Sequence, residues 1–187
     1  MSVAHHHAGP WTVEEVLALP EDTTERTELV GGQLMMSPAP TVAHQLASHR
    51  LNALLMRAAE DAGADVMILE AINVIVPDGL LIPDLAIVDA TAVRNAGLAI
   101  HAHDVLAVAE IASPSTRLTD RKLKPALYAT ASIEHYWRID LDPAPRVTIG
   151  RRRAEAYEEQ PPVLAGGRVR LDEPFPVDFD PASLAIR

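Results

Sequence analysis

The stretch Val105-Leu-Ala-Val-Ala-Glu-Ile111 constrains the fold more than any other part of the chain. It is almost continuously apolar, as expected of a central strand covered on both faces. Pro114 ends it. Within it stands one charge, Glu110. A buried carboxylate without a partner costs several kcal/mol or stays protonated, so the fold must bring something to it. A metal ion or a lysine is the obvious compensation. A carboxylate that merely caps the backbone N–H groups of Ser113 to Thr116 is the structural alternative.

The segments around this strand alternate between helical and extended patterns. Thr12-Val-Glu-Glu15 is a capping box that opens a short helix ending before Pro20. Thr27 to Val30 and Gln33 to Met36 flank Gly31-Gly32, which reads as a hairpin because paired glycines supply positive φ. Apolar residues at helical spacing from about Thr41 to Ala62 predict one long amphipathic helix, ended by Gly63. Val66 to Leu69, Ile72 to Val76 and Leu81 to Val88 read as strands, with a turn at Pro77-Asp78-Gly79. A helix through roughly Ala131 follows the central strand. Glu134 to Leu141 then reads as another strand, and short antiparallel strands with a Pro-rich tail close the chain. Residues 1–11, with His5, His6 and His7, read as a flexible leader, and 12–187 as a single α/β domain with a mixed sheet.

Composition narrows the chemistry. With no cysteine among 187 residues, disulfides, thiolate catalysis and zinc–cysteine sites are excluded. No apolar run approaches the length of a membrane span, and the expected location is the cytoplasm. The net charge of −10 argues against nucleic-acid binding, but its distribution is uneven. Between Arg117 and Arg153 stand nine Lys or Arg against four acids. Such a stretch is either a solvated face or a surface for phosphates.

Asp84 resembles Glu110 in placement, since it lies in Leu81-Ile-Pro-Asp-Leu-Ala-Ile-Val88. Strand alternation puts Asp84, Ala86 and Val88 on one face, and Leu106, Val108 and Glu110 on one face of the other strand. If the strands are neighbours in the right register, two carboxylates converge. That arrangement suits Mg²⁺, which takes one or two carboxylates and keeps several waters. Lys122 and Lys124 precede Pro125, which is best placed in a first helical turn, so both are expected near the end of the Glu110 strand. His101-Ala-His103-Asp104 lacks the further histidine that a binuclear metal motif needs, because Val105 stands there. No phosphate-binding glycine loop and no Gly-x-Ser-x-Gly frame is present. Tyr136-Trp137 is suited either to stacking on a base or to packing against the core.

Taken in order, Glu28-Leu-Val-Gly-Gly-Gln-Leu-Met-Met-Ser-Pro38, His44, Pro83-Asp84, Glu110-Ile-Ala-Ser-Pro-Ser-Thr116, Asp120-Arg-Lys-Leu-Lys124, Tyr128 and Glu134-His-Tyr-Trp137 resemble the Uma-two family of restriction-endonuclease-like proteins, a branch of the PD-(D/E)XK nuclease superfamily. The resemblance covers about residues 12 to 150. It implies a restriction-endonuclease-like mixed central sheet flanked by helices. It also implies a metal site of Asp84, Glu110 and the backbone carbonyl of Ile111, holding Mg²⁺ or Mn²⁺. The superfamily's usual lysine, two residues after the glutamate, falls on Ala112 here. The resemblance moves that role to Lys124 on the following helix, with Lys122 as the lesser substitute. Glu28 and His44 match family positions near the site and are expected to support it.

The expected function is a metal-dependent endonuclease that hydrolyses DNA phosphodiester bonds, with Asp84, Glu110 and Lys124 as the catalytic set. A homodimer is the expected assembly, since cutting a duplex takes two sites. Two alternatives stand beside it. One is a catalytically silent protein of the same fold that acts as an oligomeric binding or regulatory protein. The other is a hydrolase of small phosphoesters, which suits the acidic surface better.

Overall fold

The computed structural model describes residues 7, 9–20, 25–112 and 119–185. The readings placed on His5, His6, Ser113, Pro114, Ser115, Thr116 and Arg117 lie outside these residues. In chain order the elements are α1 (Val13–Leu17), β1 (Glu25–Val30), β2 (Gln33–Pro38), α2 (Val42–Ala62), β3 (Val66–Glu70), β4 (Val74–Val76), β5 (Gly79–Leu81), β6 (Leu85–Asp89), α3 (Ala90–Arg94), β7 (Ile100–His101), β8 (Val105–Ala112), α4 (Lys124–Thr130), β9 (His135–Asp140), β10 (Arg146–Arg153), β11 (Ala156–Glu159), β12 (Val163–Leu164), β13 (Val169–Leu171) and β14 (Val177–Phe179). No helix among the described residues is long and apolar enough to cross a membrane.

The local signals act where the sequence places them. Thr12 and Glu15 close the capping box of α1. Gly31 and Gly32, at φ 56° and 77°, form the two-residue turn between β1 and β2. Thr41 caps α2, and Gly63 ends it in the left-handed conformation. Trp11, in the stretch read as leader, donates its N–H to the Gly32 carbonyl and packs with Val16, Leu29 and Leu80.

Two mixed sheets organise the chain. The central one runs β11-β10-β9-β8-β6-β3, with β12 also paired to β10. The second runs β2-β1-β5-β4-β7. Only β8–β9 is parallel in the first, and only β4–β7 in the second. The Val105 strand is central as expected, flanked by β6 and β9. Its residues alternate between two cores. Ala107, Ala109 and Ile111 pack with Leu51 and Leu55 of α2 and with Val177 and Phe179 of β14. Val108 faces the other way, with Tyr128 of α4 and with Val74, Val76 and Leu81 of the second sheet. A β-bulge at the start of the strand turns Val105 to the same core and leaves Leu106, expected on the Val108 face, exposed. Burying a Leu or Val side chain contributes roughly 1.5–3 kcal/mol, so the two cores together hold β8 in place.

The sequence reads Leu81 to Val88 as one strand, and the structure divides it. β5 pairs with β1 and β4 in the second sheet, whereas β6 pairs with β3 and β8 in the central sheet. Ile82, Pro83 and Asp84 cross between them. Pro83 has no N–H to give to a ladder, so a single continuous central strand through this position is disfavoured. The break puts Asp84 in a connection between sheets, with its side chain available for groups other than a strand neighbour.

Candidate functional site

The antiparallel register of β6 and β8 pairs Leu85 with Ala109 and Ala86 with Val108. Extended by one residue, it sets Asp84 opposite Glu110. β6 ends at Leu85, so the Ile111 N–H has no ladder partner there and donates instead to Asp84 Oδ2 at 2.8 Å. Nε2 of His44, from the first turn of α2, donates to the same oxygen at 2.9 Å. Arg26 of β1 donates to Oδ1 at 2.6 Å. Burial pushes the Asp84 carboxyl upward, but His44, the Ile111 N–H and Arg26 outweigh it and hold the group below the ordinary aspartate value. Asp84 is therefore an anion at neutral pH although only 5% exposed.

Glu110, 2% exposed, is met from α4. Lys124 Nζ lies 3.0 Å from its Oε1, and the Tyr128 hydroxyl donates to the same oxygen at 2.8 Å. Lys124 and Tyr128 are four residues apart and therefore stack on one face of the helix. Their helix begins at Lys124 because Pro125 sits in its first turn, where a missing N–H costs nothing. A π-helical turn, Thr119–Leu123, leads into it. Burial, together with the charges of Glu110 and Glu28, pushes the Tyr128 hydroxyl well above its ordinary value. It is consequently a donor throughout the physiological range.

Strand β1 ties the two acids together. Arg26 and Glu28, two residues apart, share a face of the strand. Arg26 reaches Asp84, and Glu28 Oε1 lies 3.0 Å from Lys124 Nζ. Glu28 also accepts from the Ile82 N–H at 2.7 Å, which pins the connection that carries Asp84. Three carboxylates (Asp84, Glu110, Glu28) are thus interleaved with Arg26, His44 and Lys124, a pairing that keeps this buried charge tolerable. Arg26, 29% exposed, is the cation of the set that most meets solvent.

Of the residues singled out in the sequence, Asp84, Glu110, Lys124, Glu28 and His44 meet in this network, and Ile111 contributes its N–H. Lys122 does not join it. It lies exposed on the π-helical turn, out of phase with Lys124. Two participants were absent from the predicted site. Tyr128 was visible only as an isolated match, although its spacing from Lys124 places it one turn along. Arg26 carried a weaker signal, its spacing from Glu28. Tyr136 and Trp137 are each 1% exposed and belong to the two cores, so they are not available to stack on a base. His101 and His103 stack on each other at 5.4 Å, and His103 lies 3.4 Å from Asp104. A groove of about 600 Å³ lies between α2 and the β13–β14 hairpin, lined by Leu54, Arg57, Pro176 and Asp178, and contains none of the network residues.

The donors fit a hard divalent cation in kind, because Asp84 and Glu110 are carboxylates and such ions take oxygen ligands. Among the described residues no group of three or more His, Asp or Glu is arranged to hold a metal ion. Any ion would rest on two carboxylates, completed by backbone carbonyl and water.

Comparison with known proteins agrees with this architecture. No curated protein matches the chain. Among solved structures, it is similar to "a putative nuclease belonging to DUF820 from Anabaena variabilis ATCC 29413", with a TM-score of 0.68 and 17% identity over 88% of this chain and 90% of that one. At that identity the likeness establishes the fold, a restriction-endonuclease-like α/β architecture with a mixed central sheet. The family model described as "Uma2: Putative restriction endonuclease" matches residues 13–187, and the chain belongs to that family.

Proposed function

We propose that the protein is a Mg²⁺- or Mn²⁺-dependent phosphodiesterase that acts on DNA, with Asp84 and Glu110 as the metal-holding carboxylates. The observation that carries this reading is that the Asp84 carboxylate accepts from the N–H of Ile111, the residue after Glu110, while Lys124 reaches the Glu110 carboxylate from α4. A metal bound there, with the Ile111 carbonyl as a further ligand, would supply an activated water and neutralise charge on the scissile phosphate. The chain's own groups prepare the site. His44 and the Ile111 N–H fix the Asp84 carboxylate in place. Tyr128 fixes that of Glu110 and keeps its proton. Lys124, anchored by Glu28, holds a positive charge beside Glu110, where negative charge would develop on a phosphorane. Glu28 and His44 act as positioning residues. A homodimer would supply the two sites that a double-strand cut requires.

Plasmid cleavage with Mn²⁺ by the wild type, Asp84→Ala and Glu110→Ala tests the assignment. Loss of nicking in both variants is expected, and equal activity in all three rejects the reading.

One observation favours the catalytically silent alternative. Both oxygens of Asp84 are engaged by cationic or N–H donors, and Arg26 competes with any metal for Oδ1. The alternatives separate by thermal shift, because a ligand that binds the native state raises its melting temperature. A rise with Mg²⁺, Mn²⁺ or Ca²⁺ that Asp84→Ala abolishes supports the metal-dependent reading, and no rise with any of them favours the silent one.

A further inference from the structure

The basic stretch that the sequence shows as a single run is sorted by the structure into two kinds of arginine. Arg138 forms a two-pronged pair with Glu159, at 2.7 and 3.2 Å. Arg151 pairs with Glu134 and Glu173, Arg152 with Glu134, and Arg153 with Glu158. These cations are matched by carboxylates at the surface. Arg121 and Arg146 are different, because Asp140 is the one acid paired with either among the described residues, and Arg138 Nε lies 3.7 Å from the same carboxylate. Arg121 donates to Asp140 Oδ1 at 3.0 Å, and Arg146 donates through Nε to Oδ2 at 3.2 Å. Asp140 is 2% exposed, whereas the two arginine side chains are 39% and 28% exposed. A buried carboxylate therefore fixes two solvent-facing guanidiniums side by side, with a surplus of positive charge.

The position of this cluster relates it to the acid pair. β8 and β9 are parallel, with Glu110 opposite Arg138 and Ala112 opposite Asp140. Arg138 and Asp140 follow Tyr136 at two-residue spacing, and Tyr136 packs in the same core as Val108, so they share the face of Glu110. One strand spacing and one dipeptide step separate the Cα atoms of Glu110 and Asp140 by about 8 Å. A nucleic-acid strand carries one phosphate per about 3.4 Å of its axis. A strand with one phosphate at the acid pair would thus bring a phosphate about two nucleotides along to Arg121 and Arg146. Planar guanidiniums offer paired N–H groups that match phosphate oxygens.

We propose that Arg121 and Arg146, mounted on Asp140, form a second phosphate subsite beside the acid pair, which makes a DNA strand the substrate rather than a lone phosphoester. The position of the subsite rests on the assignment of Asp84 and Glu110 as the reacting end, but its phosphate affinity is testable without it. The experiment measures binding of a fluorescein-labelled twelve-nucleotide DNA strand by the full chain in EDTA, across a range of salt. In parallel it measures Mn²⁺-dependent hydrolysis of bis(p-nitrophenyl) phosphate, which has no neighbouring phosphate.

The double variant Arg121→Gln/Arg146→Gln is expected to weaken strand binding at least tenfold. It should also flatten the slope of log K against log salt by about 0.7 for each phosphate that the protein no longer neutralises. Hydrolysis of the small ester should remain within twofold of wild type. Arg152→Gln/Arg153→Gln carries the same change of two charges, at arginines paired with Glu134 and Glu158, and should bind as wild type does. The single variant Arg121→Gln, at the more exposed position, should show the same effect in smaller measure and guards against a folding defect in the pair. Binding by the double variant within twofold of wild type, with an unchanged salt slope, overturns the subsite, as does failure of the wild type to bind the strand. Loss of binding in the variants alongside no hydrolysis of any ester by the wild type upholds the subsite and overturns the hydrolytic reading instead.

Discussion

Replacing Tyr128 by Phe isolates a single hydrogen bond to a buried charge. The ring is fully buried in the core between α4 and the second sheet, and Phe fills the same volume, so no cavity opens. What is lost is the O–H donor 2.8 Å from Glu110 Oε1. A hydrogen bond to an ionised acceptor contributes about 1.5–3 kcal/mol, against about 0.5–1.5 for one between neutral groups. Tyr157→Phe supplies the neutral comparison within the same protein, because its hydroxyl donates to the Ile133 carbonyl at 2.8 Å. The two bonds are equal in length and differ in the charge of the acceptor. Urea unfolding at pH 7 should therefore show a loss of about 2 kcal/mol for Tyr128→Phe and about 1 kcal/mol for Tyr157→Phe. For a chain of this size 2 kcal/mol corresponds to a fall of roughly 4–8 °C in melting temperature. The reasoning also fixes the alkaline behaviour. The folded-state value of Tyr128 is raised, so its contribution is complete below the ordinary tyrosine value and declines as pH rises above about 10, where the unfolded chain ionises first. If Tyr128→Phe costs no more than Tyr157→Phe, then Glu110 does not depend on the hydroxyl, and the account of how that buried carboxylate is satisfied is wrong.

Other substitutions probe the rest of the network. Lys124→Met should cost about 3–5 kcal/mol, because it leaves the buried Glu28 and Glu110 without the ammonium between them. Lys122→Met, at an exposed position, should stay within about 0.5 kcal/mol by the same urea assay. Asp84 has a depressed folded-state value, so its contribution is present above the ordinary aspartate value of 3.8 and is lost as pH falls below it. The stability difference between wild type and Asp84→Asn, measured in EDTA, should accordingly shrink from pH 6 towards pH 3, and a difference that stays constant would contradict the pairing. Arg26→Gln removes the cation that competes for Asp84 Oδ1, and should enlarge the thermal shift produced by Mn²⁺. An unchanged or smaller shift would show that Arg26 is no competitor.

The fold was legible wherever a signal is local. Thr12 with Glu15, Gly31 with Gly32, and Thr41 with Gly63 each act through bonds or dihedrals within a few residues, and each sets the boundary it was read to set. The central strand was legible because burial on both faces leaves a nearly unbroken apolar run. Leu81 to Val88 was misread for the same reason. Both halves are buried, so the hydrophobic pattern is continuous while the backbone changes sheets. Only Pro83 marks the break, and a proline does not say which partner each half takes. Of the second sheet, β1, β2 and β4 were legible as pieces, whereas β5 was merged with β6 and β7 left no signal. The pairings of β1 with β5 and of β4 with β7 join segments distant in the chain and leave no local trace.

The site follows the same division. Alternation puts Asp84 and Glu110 on faces but does not say that the strands are neighbours. The register that makes them so, Leu85 with Ala109, is set by the apolar residues of both strands, not by the acids. Sequence pattern could therefore bring the acids within one condition of meeting, and the resemblance supplied the rest. The partners of the acids were less legible because they come from elsewhere: Arg26 from β1, His44 from α2 and Lys124 from α4. A buried carboxylate announces that a counter-charge exists without saying where in the chain it lies. The same logic explains why the basic stretch from Arg117 to Arg153 was ambiguous between a solvated face and a phosphate surface. Charge along a sequence gives the number of arginines, and only the distribution of carboxylates in space decides which are neutralised. Arg138, Arg151, Arg152 and Arg153 are matched to acids of β11, the β9 approach and the tail. Arg121 and Arg146 divide a single aspartate, and the proposed phosphate subsite rests on that imbalance of charge.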